Sequence, residues 1–307
     1  KFFNWEQTKD GLTLMLWGFF KKLVIADQVG LIVDNVYGDL YNMPPSAILI
    51  AVVLFSYQIY CDFSGYSDIA VGAAKVLGFN LMKNFDRPYA SRSISEFWRR
   101  WHISLSSWIR DYVYIPLGGN RVSSSRNSYN LFVTFLLCGL WHGANWTFVV
   151  WGALHGMYLI FANVFRGTKS KEDGATSGVF LRFAQVLTTF SLVTIAWIFF
   201  RIPSFGDAWY VIQSLPSGLL GLFNVDYLRS NVLVASVLGT GGVFLLLRIV
   251  AILFMEIVEY YSSTYSSLRA MLLAQSYVVR IGAYYFVIVW IFLLGNIAAR
   301  SFIYFQF

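Results

Sequence analysis

The sequence predicts an all-α fold: a polytopic transmembrane helical bundle with interfacial and re-entrant helices. Three observations carry that prediction. Of 307 residues, 57% are hydrophobic and only 13% are charged, where a soluble domain carries roughly a quarter charged residues. Mean hydropathy is +0.59. Several apolar runs approach the roughly 20 residues needed to cross a hydrocarbon core of about 30 Å. A chain this apolar needs lipid as its solvent rather than a larger core.

The expected spans are 11–36, 46–61, 63–79, 146–165, 180–200, 231–255 and 281–299. Lys21, Lys22 and Asp27 interrupt the first, which reads as tilted or partly interfacial. Tyr41–Ser46 (YNMPPS) is a turn signal that closes it. Asp62 and Asp68 then stand between apolar runs. Asp62 or Ser64 reads as a cap for the third span, or else the pair of carboxylates as a polar lining or a carboxylate orienting a histidine. Residues 83–128 are polar, basic and aromatic, and by the positive-inside rule belong on the cytoplasmic side. Within them 94–112 reads as one amphipathic helix, with Trp98, Trp101, Leu105, Trp108, Ile109 and Tyr112 in one arc. Such a helix suits headgroup depth. Residues 131–141 are an apolar run about half as long as a span requires, and 142–146 (HGANW) interrupts it before the next apolar stretch. Residues 166–178 read as a solvated loop. No repeat and no soluble domain is evident, so 1–307 is expected to be a single transmembrane domain. It begins Lys1-Phe2-Phe3, which suggests processing or the C-terminal portion of a longer chain.

Net charge is +7, but the basic residues lie between apolar runs, where Lys and Arg gather at headgroups and in cytoplasmic loops. A nucleic-acid partner is not needed to explain them; the bilayer is. Cys61 and Cys138 both lie in apolar stretches and give neither a disulfide framework nor a zinc pattern. No metal and no bound cofactor is expected.

The candidate chemistry rests on three histidines, all between 102 and 155. His142 falls at the interruption of an apolar helix, where irregular backbone survives only if buried in protein or lining a watery cavity. A neutral imidazole there can act as general base for acyl transfer. It can equally be a core histidine bridging two helices, or a proton relay in a transporter or channel. His102 lies at the edge of the aromatic arc, either as an interfacial hydrogen-bonding group or as part of a site. His155 is expected to make a structural hydrogen bond. The arginines of 94–112 are lipid anchors or ligands for the phosphates of an anionic cosubstrate.

Long motifs add a resemblance. Asp62–Asp68 (DFSGYSD), Phe85–Tyr89 (FDRPY), Glu96–Ser106 (EFWRRWHISLS), Arg110–Arg121 (RDYVYIPLGGNR) and Trp141–Trp146 (WHGANW) resemble the membrane-bound O-acyltransferase family. They are most similar to its alginate O-acetyltransferase and bacterial cellulose acetylation branch. The resemblance implies a tunnel through the bundle with His142 as the catalytic histidine and His102 as the second. Arg99, Arg100, Trp101, Arg110 and Asn145 are then expected tunnel or donor contacts. It also implies an acetyl group taken from a cytoplasmic donor, acetyl-CoA or another acyl thioester, and moved across the inner (plasma) membrane to an exported polysaccharide. A periplasmic SGNH-type acetyltransferase and a polysaccharide synthase or secretion complex are the implied partners. Teichoic-acid D-alanylation and peptidoglycan O-acetylation are the related alternatives.

Overall fold

The computed structural model describes residues 4–166, 178–224, 242–295 and 302, and among these no β-strand occurs. The chain forms two compact units: Lys1–Lys83 with Gln213–Phe307, and Asn84–Ile212.

In the first unit, α1 (Trp5–Phe19) starts at Asn4, whose side chain accepts hydrogen bonds from Glu6 and Gln7 N–H. It runs through a π-helical segment, Phe20–Ala26, into α2 (Asp27–Gly38). The span expected over 11–36 is thus part of one continuous helical rod. Its lysines are not interfacial, because Lys21 and Lys22 are both buried.

Their partners lie on α3 (Pro45–Val76), a single helix of 32 residues, about 48 Å long. The expected division into spans 46–61 and 63–79 does not occur, and Asp62 and Asp68 sit inside the helix rather than capping a new one. Lys22 Nζ lies 2.7 Å from Asp27 and 2.5 Å from Asp62, and Lys21 Nζ lies 2.6 Å from Asp68. Paired this way, the carboxylates can stay in an apolar helix without ending it, whereas an isolated buried charge is prohibitive. Close approach of the two helices makes the pairing possible. A Cβ on Gly11 would stand 2.6 Å from Gly72 O, and one on Gly18 2.6 Å from Gly65 O.

The remaining helices of this unit are α10 (Gly242–Ser262), α11 (Leu268–Leu273) and α12 (Tyr277–Leu294). The span expected over 231–255 falls partly outside the described residues, and its described part continues to Ser262. The one expected over 281–299 starts four residues earlier, at Tyr277, and 296–299 lie outside the described residues. α9 (Phe205–Leu222) has no counterpart among the expected spans, and the boundary between the units falls within it.

The second unit holds α4 (Ile94–Arg100), α5 (Ile103–Ile109), a π-helical turn at Arg110–Tyr114, α6 (Ser124–His142), α7 (Trp146–Arg166) and α8 (Val179–Arg201). Most of the loop expected at 166–178 lies outside the described residues. The apolar run 131–141 proves to be the last part of a longer helix, because Ser123 caps α6 by accepting from Arg126 N–H. Its break, at 143–145, falls inside the interruption expected at 142–146, with His142 and Trp146 themselves helical. α6 and α7 pack closely through Gly139 against the Phe148 carbonyl and Gly152 against the Phe135 carbonyl, where any Cβ would collide. Among the described residues four helices are long and apolar enough to cross a membrane: α3, α7 (through Val164), α8 and α12.

Candidate active site

His102 occupies a break that the helical periodicity of 94–112 did not reveal. α4 ends at Arg100, and His102 adopts φ +40°, in the left-handed region, before α5 begins. That conformation is uncommon for a residue with a Cβ. Here residues 84–86 impose it. Asp86 N–H donates to Arg100 O (2.9 Å), Ile103 N–H donates to Asn84 O (2.9 Å), and Ser104 Oγ donates to Asn84 Oδ1 (2.6 Å). The chain therefore turns at His102 instead of continuing as the single amphipathic helix expected. The aromatic arc divides with it: Trp101 is buried, while Trp108 and Tyr112 are exposed.

His142 is the last residue of α6 and, as a residue, is half-buried. Ring edges and faces of Trp151 and Phe200 meet it, each with a centroid separation of 5.0 Å. Burial lowers its pKa to about 3, and the charge of His102 pushes the same way. Burial alone takes His102 down to about 4. Both rings are therefore neutral at pH 7 and able to accept a proton.

Asn145 holds the turn that follows. Its Oδ1 accepts from Thr147 N–H (3.0 Å), starting α7, and its Nδ2 donates to Pro203 O (3.1 Å). Trp101 packs against Trp197 at 5.0 Å and Phe97 at 5.5 Å; Trp197 in turn stacks on Trp151. His142 and Trp101 thus border one aromatic cluster, His102 follows Trp101 directly in the chain, and Asn145 holds the turn after His142. The arginines stand apart. Arg99 is exposed and donates to Ser95 Oγ, Arg100 pairs with Glu96 at 2.6 Å, and exposed Arg110 pairs with Asp111 at 2.8 Å.

Sequence reasoning gave Trp98 only a place in the membrane-facing arc, and gave Trp151 no role, though both lie in this cluster. Trp151 is fully buried and lies 5.0 Å from both His142 and His155. Trp98 Nε1–H donates to His155 Nδ1 at 3.2 Å. The available signal was the spacing of Trp151 and His155, one helical turn apart on the same face.

Comparison with known proteins places this geometry in context. The model of the membrane-bound O-acyltransferase family matches residues 36–202. "Probable alginate O-acetylase AlgI" of Pseudomonas aeruginosa is 42% identical over 210 residues, 68% of this chain and 39% of the relative. "Peptidoglycan O-acetyltransferase" of Helicobacter pylori is 36% identical over 226 residues, 74% of this chain and 41% of the relative. "Teichoic acid D-alanyltransferase" of Streptococcus thermophilus is 27% identical over 219 residues, 64% of this chain and 52% of the relative. The chain thus spans about two-fifths of the length of the alginate and peptidoglycan relatives.

Proposed function

Since the chain belongs to the membrane-bound O-acyltransferase family, we propose that it forms part of a bacterial inner-membrane O-acetyltransferase. The enzyme takes an acetyl group from a cytoplasmic thioester, acetyl-CoA, and passes it across the membrane for O-acetylation of an exported polysaccharide of the alginate or cellulose kind. The resemblance to alginate O-acetylases supports this substrate class. A periplasmic SGNH-type acetyltransferase and the polymer's synthase complex are its proposed partners.

In this reading His142 is the general base and His102 assists it. The acceptor hydroxyl gives its proton to the neutral His142 imidazole as its oxygen bonds to the thioester carbonyl carbon. The carbon–sulfur bond then breaks, and the leaving thiolate takes the proton back from the imidazolium. Exposed Arg99 and Arg110 are the guanidiniums placed to meet donor phosphates once Arg110 exchanges Asp111 for them. Arg100, Trp101 and Asn145 hold the surrounding backbone and rings.

One observation carries the reading: His142 is half-buried at a helix break, neutral, and backed by Trp151 and Phe200. That is an accessible proton acceptor in apolar surroundings. The test is His142→Ala in the full-length protein, with acetyl ester measured on the secreted polymer at matched protein levels. Loss of a general base is expected to cost about 10²–10⁴-fold; unchanged acetylation removes His142 from the mechanism. The likeness to a peptidoglycan O-acetyltransferase supports a second acceptor class, which is distinguished by the polymer that loses its ester.

A further inference from the structure

The segment that carries His102 and the hairpin that carries His142 are joined by one buried hydrogen bond. Trp98 stands one turn before His102, on α4, and His155 stands on α7, beyond the break that presents His142. Trp98 Nε1–H donates to His155 Nδ1 at 3.2 Å, and the two rings meet edge to face at 5.0 Å. His155 is fully buried, among the rings of Phe97, Phe135, Trp151 and Tyr158. Because Nδ1 accepts, the hydrogen of the neutral imidazole is on Nε2. Nε2 has no hydrogen-bond partner among the described residues. The bond from Trp98 is therefore the single directional polar contact of this ring among the described residues. A phenyl group would fill the same space; the imidazole adds one acceptor aimed at α4.

We infer that Trp98 and His155 are positioning residues whose hydrogen bond sets the separation of His102 from His142. The inference rests on the reading of His142 as base. Trp151 transmits the placement, since its ring touches both His155 and His142 at 5.0 Å. Neither Trp98 nor His155 needs to meet substrate. The separation matters because His102 can assist His142 only from a fixed position beside it, so a shift of α4 against α7 changes how readily the base works.

The test uses the full-length enzyme in proteoliposomes with acetyl-CoA and an alginate oligosaccharide, following thiol release. Trp98→Phe keeps the aromatic bulk and removes only the N–H. It is expected to lower kcat by about 10²-fold, the scale of a 1 Å misplacement, with KM for acetyl-CoA unchanged. It should also move the acid limb of the kcat–pH profile, which a purely structural loss would not do. Trp98→Phe combined with His155→Phe removes both partners and should be no slower than Trp98→Phe alone, since the two share one interaction. Trp108→Phe, at an exposed position, serves as the control at full rate. Wild-type kcat in Trp98→Phe, a change confined to KM, or a double variant at the product of the single losses would each overturn the inference. An independent reading needs no variant: ¹⁵N NMR of the histidine side chains should show His155 protonated at Nε2, and protonation at Nδ1 overturns it. Full activity in His142→Ala would instead sink the proposed function, whatever Trp98→Phe does.

Discussion

Lys22 Nζ lies 2.5 Å from Asp62 Oδ1, although forty residues separate them in the chain. Around this pair, Lys22 also reaches Asp27, while Lys21 joins Asp68 and, at 3.6 Å, Glu259. Tyr60 donates its hydroxyl to the other oxygen of Glu259 at 2.6 Å. Two ammonium groups thus bridge four carboxylates in the interior of the first unit.

Removing one cation should be costly. Lys22→Met leaves Asp27 and Asp62 buried without their ammonium, and breaking such a pair costs about 3–5 kcal/mol. Thermal unfolding in detergent should show a large loss for Lys22→Met. Adding Asp27→Asn and Asp62→Asn should restore most of it. Equal stability of the single and triple variants would contradict the arrangement.

Close helix contact makes a second prediction. Gly139→Ala drives a methyl group into the Phe148 carbonyl and should destabilise the protein by about 1–3 kcal/mol. It should also disturb activity, since it opens the hairpin that carries His142. Gly38→Ala meets nothing within 4 Å and should be neutral or slightly stabilising. Both are read from melting temperatures at matched detergent concentration.

The left-handed backbone at His102 can be tested apart from its ring. His102→Gly and His102→Ala both lose the imidazole, but glycine adopts φ +40° without the Cβ clash. The glycine variant should be the more stable by about 1 kcal/mol. An alanine variant of equal or greater stability would show that residues 84–86 do not impose the turn.

The pH dependence follows from burial. His142 is held near 3 and His102 near 4 in the folded protein, against about 6.5 in an unfolded chain. As pH falls from about 6.5, the unfolded state binds these protons first, so stability declines through that window and levels off below the folded values. Above about 6.5 the two groups contribute no slope. His102→Gln should flatten the part of the decline between 6.5 and about 4. The acid limb of kcat/KM assigned to His142 should appear below about pH 5, and a limb centred at 6.5 would contradict it.

Much of the site was legible in the residues. The interruption after His142 was visible because an apolar run stops at a His, a Gly and an Asn, and the motifs around 62–146 carried the family resemblance. What stayed hidden depended on distant partners. Asp62 looked like a cap because two apolar runs flank it, and nothing local announces a lysine forty residues upstream. The turn at His102 was invisible because no Gly or Pro marks it; Asn84 and Asp86 enforce it from outside the helix. The hydrogen bond from Trp98 to His155 escaped for the same reason, since an indole in an amphipathic arc reads as membrane anchor until its N–H is seen to be buried.

The π-helical segment at Phe20–Ala26 has a consequence for how this region can change. A π-turn accommodates an extra residue within an α-helical frame. Excising one residue there would return the rod to ordinary winding and re-register the residues of the segment itself. Neighbouring lysines that now reach two different carboxylates would no longer both find one. Substitutions here that spare Lys21 and Lys22 are therefore more tolerable than a change in the length of the stretch.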